Sequence, residues 1–184
     1  MPYAVVAIVI IVILIILWLV STQRRLVTLD ENINNAMSQI GVQLSARFDA
    51  LTSLLELTKG YDQHESETLL EVIRARRSVI TAASSPDDVA EQENIITEAL
   101  GRINAVAEQY PDLKAAENYQ QTMGAVERYE NSLRSSRLIY NDSVTKLNRS
   151  VRMFPTSFVA KMLGFGAREY LKTEDEKTAR PSMK

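Results

Sequence analysis

YAVVAIVIIVILIILWLV, residues 3–20, is an uninterrupted apolar run without a charge, a glycine or a proline. At ~1.5 Å per residue it covers roughly 27 Å as a helix, close to the ~30 Å hydrocarbon thickness of a bilayer. Tyr3 and Trp18 stand near its two ends, where amphipathic rings favour the head-group level, and Arg24 and Arg25 follow it at once. No basic segment precedes the run, and Ser21-Thr22-Gln23 offers no small-x-small cleavage pattern, so it reads as a retained anchor. With basic residues on one flank only, the positive-inside rule places the N-terminus outside and the rest in the cytoplasm, a single pass through the membrane.

Immediately after the anchor the period changes. Leu26, Leu29, Ile33, Ala36, Ile40, Leu44, Phe48, Leu51 and Leu55 recur in steps of three and four, the stripe of a helix with one face for a core. Nothing between Val20 and Leu26 breaks a helix, so the spacing predicts that the membrane helix continues into the first bundle helix. Gly41 lies inside the stripe and points to close helix packing more than a break, and Lys59-Gly60 ends the element.

Asp62 and Glu65 form a capping-box pattern for a second helix, with apolar positions Leu69, Ile73, Val79, Ile80 and Ala83 and the stem of Arg76. Ser85, Pro86, Asp87 and Asp88 then restart it, as N-cap, first-turn proline and two acids at the positive helix end. The restarted helix carries Val89, Ile96, Ala99, Leu100, Ile103 and Val106, and stops before Tyr110-Pro111. Pro111-Asp112 opens the longest stripe: Leu113, Ala116, Tyr119, Met123, Val126, Tyr129, Leu133, Ser136, Tyr140, Val144, Leu147 and Val151. Phe154-Pro155 ends it, and a short amphipathic piece follows. The expected fold is all-α: a single transmembrane helix, then an antiparallel up-and-down bundle of long helices, the middle one broken in two. The divisions are 1–25 anchor, 26–171 bundle and 172–184 disordered polar tail. The stripe periods, between 3.5 and 3.6, do not by themselves demand a coiled-coil dimer.

Several of these segments resemble the LemA family of bacterial membrane proteins. The matching stretches are residues 26–69, 102–119 and 137–171, with KGY then HE at 59–65, YPDLKA at 110–115, YNDSV at 140–144 and FP…GF at 154–165. Met37 stands where the family often has tryptophan. The resemblance implies an N-terminal membrane helix, a cytoplasmic helical bundle and no assigned reaction. A magnetosome protein is similar to the same family, which implies membrane-associated assembly.

Chemistry is thin. The 184 residues hold no cysteine and one histidine, His64, and the formal net charge is -2. That excludes thiol catalysis and cysteine-based zinc sites, gives no bulk electrostatic reason to bind nucleic acid, and leaves no paired E-x-x-H units for a di-iron bundle. Phosphate-loop, dinucleotide and nucleophile-elbow motifs are absent from the sequence. No catalytic, cofactor or metal residue is therefore assigned, and the chain reads as no enzyme. The candidate membrane-interface residues are Tyr3, Trp18, Arg24 and Arg25. Candidate partner or lipid contacts are Arg74, Arg76 and Arg77, grouped with Arg128, Arg134 and Arg137, and the apolar Phe154, Phe158, Met162 and Phe165. The leading expectation is a membrane-anchored scaffold that self-assembles as a homo-oligomer, with membrane lipid as the other partner. The alternative is a sensor or adaptor whose bundle binds a small ligand or a protein of unknown identity.

Overall fold

The computed structural model describes residues 2–59, 72–74 and 78–172. All regular structure among them is helical: α1 (Pro2–Leu57), α2 (Pro86–Gln109), α3 (Pro111–Ala115), α4 (Glu117–Arg152) and α5 (Thr156–Met162). The chain divides into two compact units, Met1–Ile33 with Tyr140–Tyr170, and Asn34–Ile139 with Leu171–Lys184.

Helix α1 is 56 residues long and unbroken. Its first third is built of Ile and Val, which lose rotamer freedom in a helix. Such a run stays helical where no water competes for backbone hydrogen bonds, because every N–H and C=O must then be satisfied within the segment. From Tyr3 to Val20, fifteen large apolar side chains are exposed. Keeping them in water forgoes on the order of 30 kcal/mol, at ~2 kcal/mol each. That exceeds the ~5–15 kcal/mol stability of a whole domain. The run therefore requires an apolar solvent.

Burial begins abruptly. Thr22 is 7% exposed and Leu26 is fully buried, and every member of the expected α1 stripe from Leu26 to Leu55 lies in the core. In the first unit these positions pack with the 140–170 segment. There α4 buries Tyr140, Val144 and Leu147, and an extended stretch after α5 is strapped to it. The Asn148 amide donates to the Arg168 carbonyl at 2.9 Å, and the Arg168 N–H donates back to the Asn148 Oδ1 at 2.8 Å. The Tyr140 hydroxyl donates to the Glu169 carbonyl. Burial beside this carbonyl pushes the Tyr140 phenol above its ordinary pKa, partly offset by the Arg168 charge.

In the second unit the direction of each helix is legible from its partners. Residues 46–53 of α1 line one groove with residues 129–121 of α4, and Arg47 pairs with Glu130 at 2.6 Å. Glu93 and Asn104 of α2 meet Arg137 and Tyr119 of α4, in reverse order along the two helices. Both pairs are antiparallel, as expected. The α2 start also follows its sequence signals: Ser85 is the N-cap, its side chain accepts from the Asp88 N–H, and the Asp88 carboxylate accepts from the Ser85 N–H at 2.7 Å. Donation from the Ser85 backbone N–H, with the Ser85 hydroxyl as the smaller contribution, holds the Asp88 carboxyl below its ordinary pKa.

Two expectations need correction. The helix expected to reach Ala83 does not include residues 78–81, and Val79 is 68% exposed where a core position was expected. Here Ile80 alone is buried, its carbonyl pressed against Gly41 of α1, and the Gln92 side chain donates to the Ser78 carbonyl. A side-chain donor has replaced the helical hydrogen bond, and Gly41 accommodates a non-helical segment, not a helix. The longest helix after α1 also opens at Glu117 and not at Pro111. Ala116, at φ -62° and ψ 131°, is extended and separates the single turn α3 from α4. The capping box at Asp62 and Glu65, the apolar Leu69, Gly60 and His64 lie outside the described residues.

A Cβ at Gly41 would fall well inside van der Waals contact of the Ile80 carbonyl, a backbone atom that cannot swing aside. Gly41→Ala is expected to cost about 1–3 kcal/mol by overpacking. At Gly101 a Cβ meets nothing within 4 Å, so Gly101→Ala should be neutral or stabilising by up to ~1 kcal/mol. Urea unfolding of the detergent-solubilised chain measures both. The Asp88 shift has a sign: a carboxyl depressed in the folded state stabilises above its unfolded pKa, and that contribution is lost as pH falls below roughly 4. Ser85→Ala should cost about 1 kcal/mol at neutral pH and flatten the acid limb of the stability profile.

A candidate membrane-proximal surface

Most of the candidate residues fall in the first unit. Tyr3 is 88% exposed and Trp18 39%, with Arg24 and Arg25 exposed one turn and more beyond. In the same unit, α5 is short because Phe154-Pro155 interrupts the preceding helix and Gly164, at φ 79°, closes the following turn. Its two faces differ sharply. Val159 and Ala160 are buried, while Phe158 and Met162, one turn apart, are 70% and 64% exposed; Phe154 just ahead is 87% exposed and Phe165 half-buried. The structure thus brings Phe154, Phe158 and Met162 into the unit that holds the apolar helix.

Of the candidate basic cluster, Arg128 and Arg134 are exposed on α4. Arg74 is exposed in the second unit, whereas Arg76 and Arg77 lie outside the described residues. Arg137 is no solvated cation: its side chain is 12% exposed and pairs at 2.9 Å with Glu93, which is buried on α2, while its other nitrogen donates to the Lys172 carbonyl at 2.5 Å. One guanidinium ties α2, α4 and the chain beyond the strap, because its planar fork presents donors in several directions. Tyr119 and Tyr140 are buried core residues.

Sequence reasoning missed the polar residues that hold these helices together: Arg47 and Gln92, both buried, Glu93, and Asn148 with the Arg168–Asp30 ion pair at 2.8 Å. A signal existed for some of them. Arg47 and Glu93 sit at steps of three and four from core positions Leu44, Leu51 and Ile96, Val89, where a charge must find a partner. Among the described residues no group of three or more His, Cys, Asp or Glu could hold a metal ion. A shallow cleft of about 230 Å³ beside Ile80 and Gln92 is flanked by Asp88 and Glu91.

Comparison with known proteins agrees with this picture. The sequence model described as the LemA family matches residues 36–184. Protein LemA of Metamycoplasma hominis is 28% identical over 144 residues, 78% of this chain and 66% of that protein. Magnetosome protein MamQ of Magnetospirillum gryphiswaldense is 33% identical over 72 residues, 39% of this chain and 26% of that protein. Magnetosome protein MamQ 2 of Paramagnetospirillum magneticum is 32% identical with the same coverage. The chain thus spans slightly less than two thirds of the first relative and about a quarter of the others.

Removing one partner of the Arg137–Glu93 pair leaves a buried charge uncompensated, whereas removing both need not. Arg137→Met is therefore expected to cost about 3 kcal/mol. The double variant Arg137→Met/Glu93→Leu should recover most of that loss. Paired denaturation curves at neutral pH provide the check.

Proposed function

Because the chain belongs to the LemA family of membrane-associated proteins, matched over residues 36–184, we propose that it is a membrane-anchored scaffold without catalytic activity that self-assembles through its helical bundle. The observation that carries this reading is on α4. Leu138 and Ile139 are 62% and 60% exposed, adjacent, and turned away from the face that buries Leu133, Tyr140 and Val144. A pair of large aliphatic side chains on a surface otherwise rich in Ser, Arg and Asn suits a lateral protein contact. Anchoring strengthens such a contact: copies held in two dimensions have a raised effective concentration, so a weak patch suffices. Closed cyclic symmetry is the expected form of the assembly. Exposed Arg24 and Arg25 next to the apolar run support the bundle lying on the cytoplasmic side of the inner membrane, with the N-terminus outside.

The same patch also fits an adaptor that docks a different protein, and one experiment separates the two. Full-length protein extracted from its own membrane into lipid nanodiscs should give a discrete multiple of the chain mass by native mass spectrometry. Crosslinking before extraction should give a ladder of the same multiples. Leu138→Asp/Ile139→Asp should return the monomer while leaving the helical content and membrane fraction unchanged. A monomer at every concentration with no ladder overturns self-assembly, and a stoichiometric second protein in its place establishes the adaptor.

A further inference from the structure

We propose that the turn and short helix over residues 153–163 form a second, non-spanning membrane contact, with Phe154, Phe158 and Met162 seated in the lipid head-group layer beside the anchor. This does not depend on self-assembly.

Position is the first reason. In the first unit Arg168 is bonded both to Asn148 of α4 and to Asp30 of α1, which brings those residues within the reach of one side chain. Antiparallel to α1, α4 ends four residues later, so its end stands about 6 Å nearer the apolar run. The chain then turns into 153–163. Thr22 and Leu26 are buried in this unit, one and two turns beyond Trp18. The packed structure therefore begins where the apolar run ends, and α5 belongs to that end.

Orientation is the second. Val159 and Ala160 are buried, which fixes the opposite face outward. That face carries Phe158 and Met162, and Met153 and Phe154 in the turn before it are exposed as well, the four at 57–87% exposure. Aromatic and thioether side chains on a short helix suit the boundary between head groups and acyl chains, where an amphipathic element sinks by roughly 5–10 Å.

Charge chooses the occupant. From Ser143 to Arg168 there is no Asp or Glu, and Arg149, Arg152 and Lys161 are exposed around the apolar tip. With Arg24 and Arg25 on α1 they form a cationic rim that complements anionic lipid head groups. A second copy docking tip to tip would bring two such rims together, which like-charge repulsion opposes.

The chain has no cysteine, so Phe158→Cys and Met162→Cys in the full-length protein each accept one nitroxide, at sites exposed enough not to disturb folding. The labelled proteins are placed in vesicles of phosphatidylcholine and phosphatidylglycerol, first at several chains per vesicle and then at no more than one. Power-saturation EPR then compares collisions with oxygen, which partitions into lipid, and with a water-soluble nickel chelate. Oxygen should exceed nickel severalfold at 158 and 162, while a label from Glu127→Cys on exposed α4 surface shows the reverse. Nickel access at 158 and 162 equal to that at 127 overturns the proposal. So does protection from both reagents that disappears on further dilution of protein in lipid, the mark of a second copy.

Discussion

One helix in two solvents is the constraint on which the rest of this structure depends. Helix α1 runs unbroken from Pro2 to Leu57. Up to Val20 its side chains are exposed all round, and from Thr22 onward a single stripe is buried. The first part can satisfy its hydrogen bonds but not its surface, and needs lipid. The second satisfies its surface only through other helices. The switch between them happens within about one turn, so the membrane boundary and the start of the packed unit coincide.

The helices that cover α1 do so through aliphatic stripes supplemented by a few buried charges. Arg47–Glu130 and Arg137–Glu93 are part-buried pairs, of modest worth against well-packed apolar residues but costly to break on one side. Their value is in register. Each joins α4 to a different neighbour, and a slide by one turn would strand a charge in the core. The Asn148–Arg168 clamp does the same for the extended strap in the other unit, with neutral groups.

Function on such a scaffold is carried by what the helices leave outward. Among the apolar side chains exposed beyond the anchor run are Leu138–Ile139 on α4 and the tip formed by Phe154, Phe158 and Met162. They differ in surroundings. The first lies on a polar helix face, which suits protein, and the second is rimmed by cations with no nearby acid in sequence, which suits lipid. A protein with both would be held to the bilayer at two points and would present a side for neighbours.

By itself the sequence determined the helical class, the apolar run and the α1 stripe. Leu26 through Leu55 are all buried, because a period of three and four leaves one face apolar whatever packs on it. It also determined the Ser85-Pro86 restart, since capping is settled by residues three apart. Tertiary structure alone decided the segment around Ile80, where Gly41, 39 residues earlier, and Gln92 outbid a local helical preference. It decided that Arg137 turns inward to Glu93 instead of joining a surface cluster. It also decided that Phe158 faces out while its neighbour Val159 is buried. In a short apolar segment either face can serve as the inside, and only the partner supplied by distant parts of the chain breaks that tie.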